Sequence, residues 1–263
     1  MDLDLKNRVA VVLAASSGIG RGIATVLAQE GCNLAICARD PRRLEMAANE
    51  IRGVGAAEVM AVVADVASAS SLNAFYDQVI EGYGKVDILI NNAGGPPAGK
   101  SLELGEEHYA IAYQLTLMSV VRSCRRVVPL MQKQRWGRII NIESTSIKCA
   151  LDNLVLSNVF RSAVAAFAKT LSTEYARDGI RVHTLMSGPF NTQRMQDLGT
   201  AAARLKGISF EQWKTEAEEG TSVGRFGDPL EFGALTAFLA SDKAEYMNGT
   251  CIAIDGGALK TIS

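Results

Sequence analysis

Ser16, Ser17, Gly18, Ile19 and Gly20 follow directly on an apolar run from Val9 to Ala15. Seven apolar residues in a row read as a buried parallel strand, and the Ser/Gly stretch turns the chain into a helix spanning about Arg21 to Gly31. Glycine lets the backbone come close to a bound group, and a helix start offers unpaired N–H donors and a favourable dipole to phosphate. The chemistry such a turn suits is the grip on a dinucleotide's pyrophosphate. A glycine is expected in such a turn where Ala14 or Ala15 stands. Later strand ends carry groups suited to other parts of the same ligand. Arg39 follows the second strand, where a guanidinium matches a ribose 2′-phosphate and an acid would match the free hydroxyl. That favours NADP over NAD, with Asp40 next door as the counter-indication. Asp65 ends the third strand, where it either accepts from the adenine amino group or caps the helix starting near Ser68. Asn91, Ala93 and Gly94 end the fourth; Asn suits holding strand to loop, and Ala and Gly leave room for a sugar.

These positions need a sheet whose strands all end on one side. Strands are expected at Val9 to Ala15, Asn33 to Ala38, Glu58 to Ala64, Val86 to Ile90, Gly137 to Ile142, Arg181 to Met186 and Thr250 to Ile254. Helical patterns between them run about Pro41 to Gly53, Ser70 to Tyr83, Leu104 to Gln134, Asp152 to Asp178 and Arg225 to Ser241. Strands that are short and nearly all apolar, alternating with helices, predict a doubly wound parallel sheet of about seven strands: an α/β Rossmann fold in one domain, residues 1–263. The polar, partly helical stretch of about 188–222 follows a strand's carboxyl end, where a substrate lid belongs.

Composition narrows the classes further. A formal charge of -1 with scattered basic residues leaves no footprint for nucleic acid. No apolar run is long enough to span a membrane, and Met1 to Leu5 lacks the order of an export signal. Cys32, Cys37, Cys124, Cys149 and Cys251 form an odd set without C-x-x-C spacing, four of them in apolar contexts, which reads as buried free thiols in the cytoplasm. Two separated histidines, His108 and His183, and no clustered carboxylates speak against a metal centre.

The ordered set Ser16–Gly20, Asp65 with Val66, Asn91 to Gly94, Gly137 to Ile142, Lys169 to Glu174, Gly188 with Thr192, Gly224 to Pro229 and Asp255 to Gly257 resembles the short-chain dehydrogenase/reductase family, in its β-ketoacyl-carrier-protein reductase-like branch. The resemblance implies hydride transfer with a dinucleotide bound by Ser16, Ser17, Gly18, Ile19, Gly20, Arg39, Asp65, Val66, Asn91, Ala93, Gly94, Arg161, Gly188 and Thr192. It also implies assembly as a homotetramer or homodimer through the helices of Leu104 to Met131 and Asn153 to Tyr175. In the family a serine holds the substrate carbonyl, a tyrosine donates its proton, a lysine lowers the tyrosine's pKa and holds the ribose, and an asparagine supports a water relay. Laid onto this chain, the serine is Ser144, the tyrosine position holds Ser157, the lysine position Arg161 and the asparagine position Gln114. No Tyr occurs between Ser144 and Ser172.

An aliphatic alcohol such as Ser157 is a poor acid beside a phenol. Arg161 keeps the charge and can bind hydroxyls but does not release its proton. Lys148, Cys149 and Glu143 stand near Ser144, with Lys148 the most useful candidate donor by reach. Met195, Leu198, Leu205, Ile208, Phe210 and Trp213 either line an apolar substrate site or pack the lid on the body, and Gly95 to Gly99 forms a rigid facing loop. Two functions are expected from this set: an NADP-dependent oxidoreductase acting on a small-molecule carbonyl, or a cofactor-binding protein with an interaction or sensing role.

Overall fold

Strand β1 (Val9–Val12) is buried at every position and pairs in parallel with β2 (Asn33–Ala38) on one side and β4 (Ile88–Asn91) on the other. With β3 (Val59–Val63), β5 (Gly137–Ser144), β6 (Ile180–Ser187) and β7 (Thr250–Ile254) it forms one parallel sheet of order β3-β2-β1-β4-β5-β6-β7. The computed structural model describes residues 1–55 and 58–261. The strand order reverses between β1 and β4, and the chain leaving their carboxyl ends diverges there to open a crevice.

Helices cover both faces because both faces are apolar. On one side α1 (Gly18–Gln29), α2 (Pro41–Arg52) and α9 (Pro229–Ala240) pack through Ile23, Leu44 and Phe232 onto Ala10, Val12 and Ile36. A methyl added at Gly22 would lie 2.5 Å from the Pro229 carbonyl oxygen, so α1 and α9 touch backbone to backbone. On the other side α3 (Ala69–Tyr83), α5 (Ser119–Gln134) and α6 (Val155–Glu174) bury Phe75, Cys124 and Val164 against Val11, Leu89 and Ile139. A short helix α4 (Glu106–Ala112) precedes α5, and the lid is a pair, α7 (Gln193–Lys206) and α8 (Phe210–Glu219).

Three boundaries differ from the sequence reading, and each shapes the crevice. β1 stops at Val12, because Ala14 takes a left-handed backbone (φ 49°) that swings the chain out of the sheet, and α1 starts at Gly18. The helical stretch from Leu104 is broken by a π turn, Tyr113–Met118, between α4 and α5. β5 and β6 run on to Ser144 and Ser187, which face each other in register as the last paired residues. Cys32, Cys37 and Cys124 are buried, whereas Cys149 and also Cys251 are exposed; Cys251 lies on β7, which has a neighbour on one side only. The expectation of four buried thiols is corrected to three.

Candidate active site

A cleft of about 1410 Å³ crosses the carboxyl ends of the strands, from the Ser16–Gly20 turn to Ser144, Ser157 and Arg161. At its centre α1 begins without a side-chain cap, so its first-turn N–H groups are left for a ligand. A Cβ at Gly20 would sit 2.6 Å from both the Ala14 carbonyl oxygen and Asn92 Nδ2. That amide donates to the carbonyls of Leu13 (3.1 Å) and Ala14 (3.2 Å), tying the end of β4 to the turn. Asn92 thus holds strand to loop, the role expected of Asn91. Asn91 lies one layer deeper, donating to Asn141 Oδ1 at 2.9 Å, and Asn141 in turn donates to the His183 carbonyl. It does not line the large cleft.

The end of the cleft beside β2 and α2 is basic. Arg39, Arg42 and Arg43 line it, and none of the three makes an ion pair among the described residues. Asp40 is occupied as the N-cap of α2, its carboxylate accepting from the backbone N–H groups of Arg42 and Arg43. The counter-indication to a 2′-phosphate is therefore spent on the helix. Asp65 closes its own turn by accepting from Ala67 N–H at 2.9 Å, while Ser68 caps α3, so the capping alternative for Asp65 is set aside. Asp65, Val66, Ala93 and Gly94 all line the cleft. These residues fit a dinucleotide: an uncapped helix start, a glycine turn held close on Ala14 and Asn92, and guanidinium groups without ion pairs among the described residues at one end of the cleft.

The far end holds Ser144, Ser157 and Arg161. Ser144 Oγ accepts from Ser146 N–H at 3.1 Å, which leaves its own proton for a group in the cleft. Ser157 and Arg161 sit one turn apart on α6, and Arg161 Nε donates to Ser157 Oγ at 2.9 Å. Ser157 Oγ also lies 3.3 Å from Ser146 Oγ. Arg161 Nη1 donates to Glu143 Oε2 (2.9 Å) and to the Ile142 carbonyl (3.3 Å), and Nη2 has no partner among the described residues. Glu143 is only 4% exposed, and burial lifts its carboxyl to about 7 against the opposing pull of Arg161.

Gln114 is not brought to this cluster: it accepts a short hydrogen bond from Arg122 and does not line the cleft. Of the π turn, Leu115 lines the large cleft, and Thr116, two positions after Gln114, is the fully buried residue, with an unpartnered Oγ1. The extra residue of a π turn rotates the following side chains, which spacing on a regular helix does not anticipate. Lys148 is exposed and outside the cleft lining. His183 is buried in β6, with Nδ1 2.7 Å from Thr250 Oγ1, and desolvation pulls its pKa down to about 4.

The lid divides its apolar residues between two jobs. Met195 and Leu198 line the cleft, while Trp213 packs on Phe210 and Phe226 and fills the space a side chain at Gly199 would need. Leu205 is 83% exposed. Thr192 caps α7 and lies against Gly18, joining lid to glycine turn; Gly188 packs on the Asp255 backbone. Arg194 Nη2 donates to the Pro96 carbonyl at 2.9 Å, spanning from lid to the Gly95–Pro96 wall. Sequence reasoning passed over Asn92, Thr116, Ser146 and Arg194. Asn92 had a signal, standing inside the Asn91 to Gly94 motif at the end of the strand beside the glycine turn, and the others had none without the fold.

Fold and site together define a dinucleotide-binding α/β oxidoreductase scaffold. A family model described as enoyl-(acyl carrier protein) reductase matches residues 13–258, and the chain belongs to the short-chain dehydrogenase/reductase family. It is 34% identical over 255 residues to "Oxidoreductase UcpA" of Salmonella typhimurium, covering 97% of this chain and 95% of that one. It is 33% identical over 254 residues to the 3-oxoacyl-[acyl-carrier-protein] reductase FabG of Staphylococcus epidermidis, covering 95% and 98%. Among solved structures, L-sorbose reductase from Gluconobacter frateurii, complexed with NADPH and L-sorbose, superposes with a TM-score of 0.94 at 32% identity over 100% of both chains. Among the described residues no helix is long and apolar enough to cross a membrane, and no group of metal-ligating side chains occurs.

Proposed function

We propose that the chain is an NADP(H)-dependent oxidoreductase that reduces a carbonyl, a 3-oxoacyl group or small ketone, or oxidises the matching alcohol. The observation that carries this reading is the single cleft joining an uncapped, glycine-lined helix start to Ser144. The free guanidinium groups of Arg39, Arg42 and Arg43 support the 2′-phosphorylated cofactor, and the NADPH-bound sorbose reductase supports the same choice. The 3-oxoacyl reductase among its relatives supports the acyl branch.

The cofactor supplies the hydride when bound. The chain's own work is to orient the carbonyl on the Ser144 hydroxyl, to present Arg161 Nη2 to ribose hydroxyls, and to keep Ser157 against Arg161 Nε. Ser157 and Arg161 occupy the positions of the family's tyrosine and lysine, so the proton donor is atypical. Positioning of donor and acceptor supplies most of what hydride transfer needs. We place the protein in the cytoplasm as a homotetramer or homodimer; exposed Ile111, Tyr113 and Val159 on neighbouring segments give such an interface its apolar surface.

The test is NADPH consumption across ketones, quinones and acyl thioesters, with Ser144→Ala as control. Ser144-dependent consumption supports the reading. Clear NADPH binding with no consumption from any carbonyl favours the cofactor-binding, non-catalytic alternative.

A further inference from the structure

Beside the large cleft lies a second, small cavity of about 10 Å³, lined by Asn91, Asn92, Ala93, Thr116, Ser119, Val120, Ile142, Glu143 and Arg161. That is room for one water. Two of its walls carry polar atoms with no protein partner, Thr116 Oγ1 and Asn91 Oδ1, in residues that are 3% and 2% exposed. Buried polar atoms left unpaired cost free energy, so a water bound between them is the expected resolution. Asn92, Ala93, Ile142, Glu143 and Arg161 line this chamber and the large cleft alike, and of the five only Glu143 and Arg161 are ionisable.

Resting on the functional reading above, we propose that Glu143 is the proton reservoir of the reaction, exchanging a proton with the substrate oxygen held at Ser144 through bound water. The assignment follows from the groups that face it. Arg161 of α6 is the one cation bonded to its carboxylate among the described residues, and it cannot give up a proton. The π turn and α5 contribute Thr116 and Ser119, and β4 contributes Asn91 and Asn92, all neutral. From β6, Ser187 Oγ donates to the Glu143 backbone carbonyl. From β7, Cys251 feels the charges of Glu143 and of Lys148, and it does not line the chamber. Lys148 is on the surface, His183 faces β7, and an alcohol titrates far above neutrality. Glu143 is therefore the one group lining both spaces that is able to change protonation near pH 7.

In the reducing direction the carbonyl carbon receives the hydride of the reduced dinucleotide, and the C=O pair of electrons moves to oxygen. That oxygen takes a proton from water, the water takes one from the Glu143 carboxyl, and the product is a neutral alcohol. The carboxylate left behind is neutralised by Arg161 at 2.9 Å and is reprotonated from solvent. Oxidation runs the same path in reverse.

The experiment pairs a carboxyl titration with kinetics on the full chain and on Glu143→Gln, which keeps an acceptor for Arg161. Carboxyl-labelled glutamate followed by carbon NMR from pH 4 to 9 is expected to show one resonance with a midpoint near neutrality that vanishes in Glu143→Gln. With NADPH and a ketone that the wild type reduces, Glu143→Gln is expected to lower kcat about 100-fold, flatten its pH profile, and leave KM for NADPH unchanged. Titration of Glu143 in the ordinary carboxylate range, or a Glu143→Gln enzyme with wild-type kcat and pH profile, overturns the proposal. Absence of NADPH binding in the same samples overturns the functional reading instead, whatever the carboxyl does.

Discussion

Arg161 Nε and Ser157 Oγ are 2.9 Å apart on one face of α6, so the guanidinium holds the hydroxyl while its other end is anchored on Glu143. On the reading proposed above, the family's tyrosine and lysine correspond to these two positions, with a short hydroxyl and a long cation where a long phenol and a shorter cation would stand. Ser157→Tyr combined with Arg161→Lys is expected to raise kcat for carbonyl reduction at pH 7 by about tenfold or more, since a phenol beside an ammonium is the better acid. Ser157→Tyr alone should gain less. Steady-state NADPH oxidation by the three proteins checks this; a double variant no faster than either single one contradicts it.

Arg39 is exposed at the basic end of the cleft while Asp40 is committed to capping α2. Arg39→Ala is expected to weaken NADPH by about 10- to 100-fold, the loss of one or more charge-assisted hydrogen bonds, and to leave NADH nearly unchanged. Dissociation constants for both nucleotides by fluorescence titration decide the matter. Equal losses would show that Arg39 does not meet the 2′-phosphate.

Ala14 stands at a backbone φ of 49°, in the left-handed region that costs an L-residue about 1 to 2 kcal/mol. Ala14→Gly relieves that strain without opening the sheet, since the side chain lost is a single methyl. The melting temperature is expected to rise by roughly 2 to 4 °C per kcal/mol gained, with NADPH binding retained. An unchanged or lower melting temperature contradicts the strain argument.

Glu143 contributes a stability slope of definite sign. Its pKa in the fold is about 7, above the roughly 4.3 of an unfolded glutamate. Between those values the folded chain keeps a proton the unfolded chain has released, so stability falls as pH rises through the window and levels off above it. Glu143→Gln removes that slope. Urea unfolding at pH 5, 6, 7 and 8 should show the variant gaining on the wild type as pH increases; parallel profiles contradict it.

Thr116 and Gln114 offer a direct contrast. Thr116→Val removes a hydroxyl that would hold the water of the small chamber and is expected to lower kcat. Gln114→Ala breaks only the contact with Arg122 and is expected to leave kcat unchanged. The opposite ranking would return Gln114 to the site.

The sheet was legible because its strands are short, almost wholly apolar, and spaced by helical patterns; even β7 falls at Thr250–Ile254 as read. Strand ends were less so. Ser144 belongs to β5 because pairing with β6 continues through Glu143 and Ser144, which no local pattern announces. The nucleotide side of the cleft was readable since it is built from turns, where residue type and backbone geometry are tightly linked. The chemistry end depends on which way a π turn rotates Thr116 and on a glutamate in β5 meeting an arginine on α6. Those relations are set by packing between distant segments. Asp40 illustrates the limit at a single residue: an acid beside Arg39 argues against NADP in one dimension, and its use as a helix cap removes the objection in three.

The proposed function requires hydride to pass from a dinucleotide in this cleft to a carbonyl oriented by Ser144. NADPH carrying deuterium at the transferred position, incubated with the carbonyl panel and followed by mass spectrometry of the products, measures that transfer itself. Deuterium in the alcohol with the wild type, and little or none with Ser144→Ala, is the predicted result. An enzyme that binds NADPH and leaves every carbonyl unlabelled, or labels it equally well without the Ser144 hydroxyl, would contradict it.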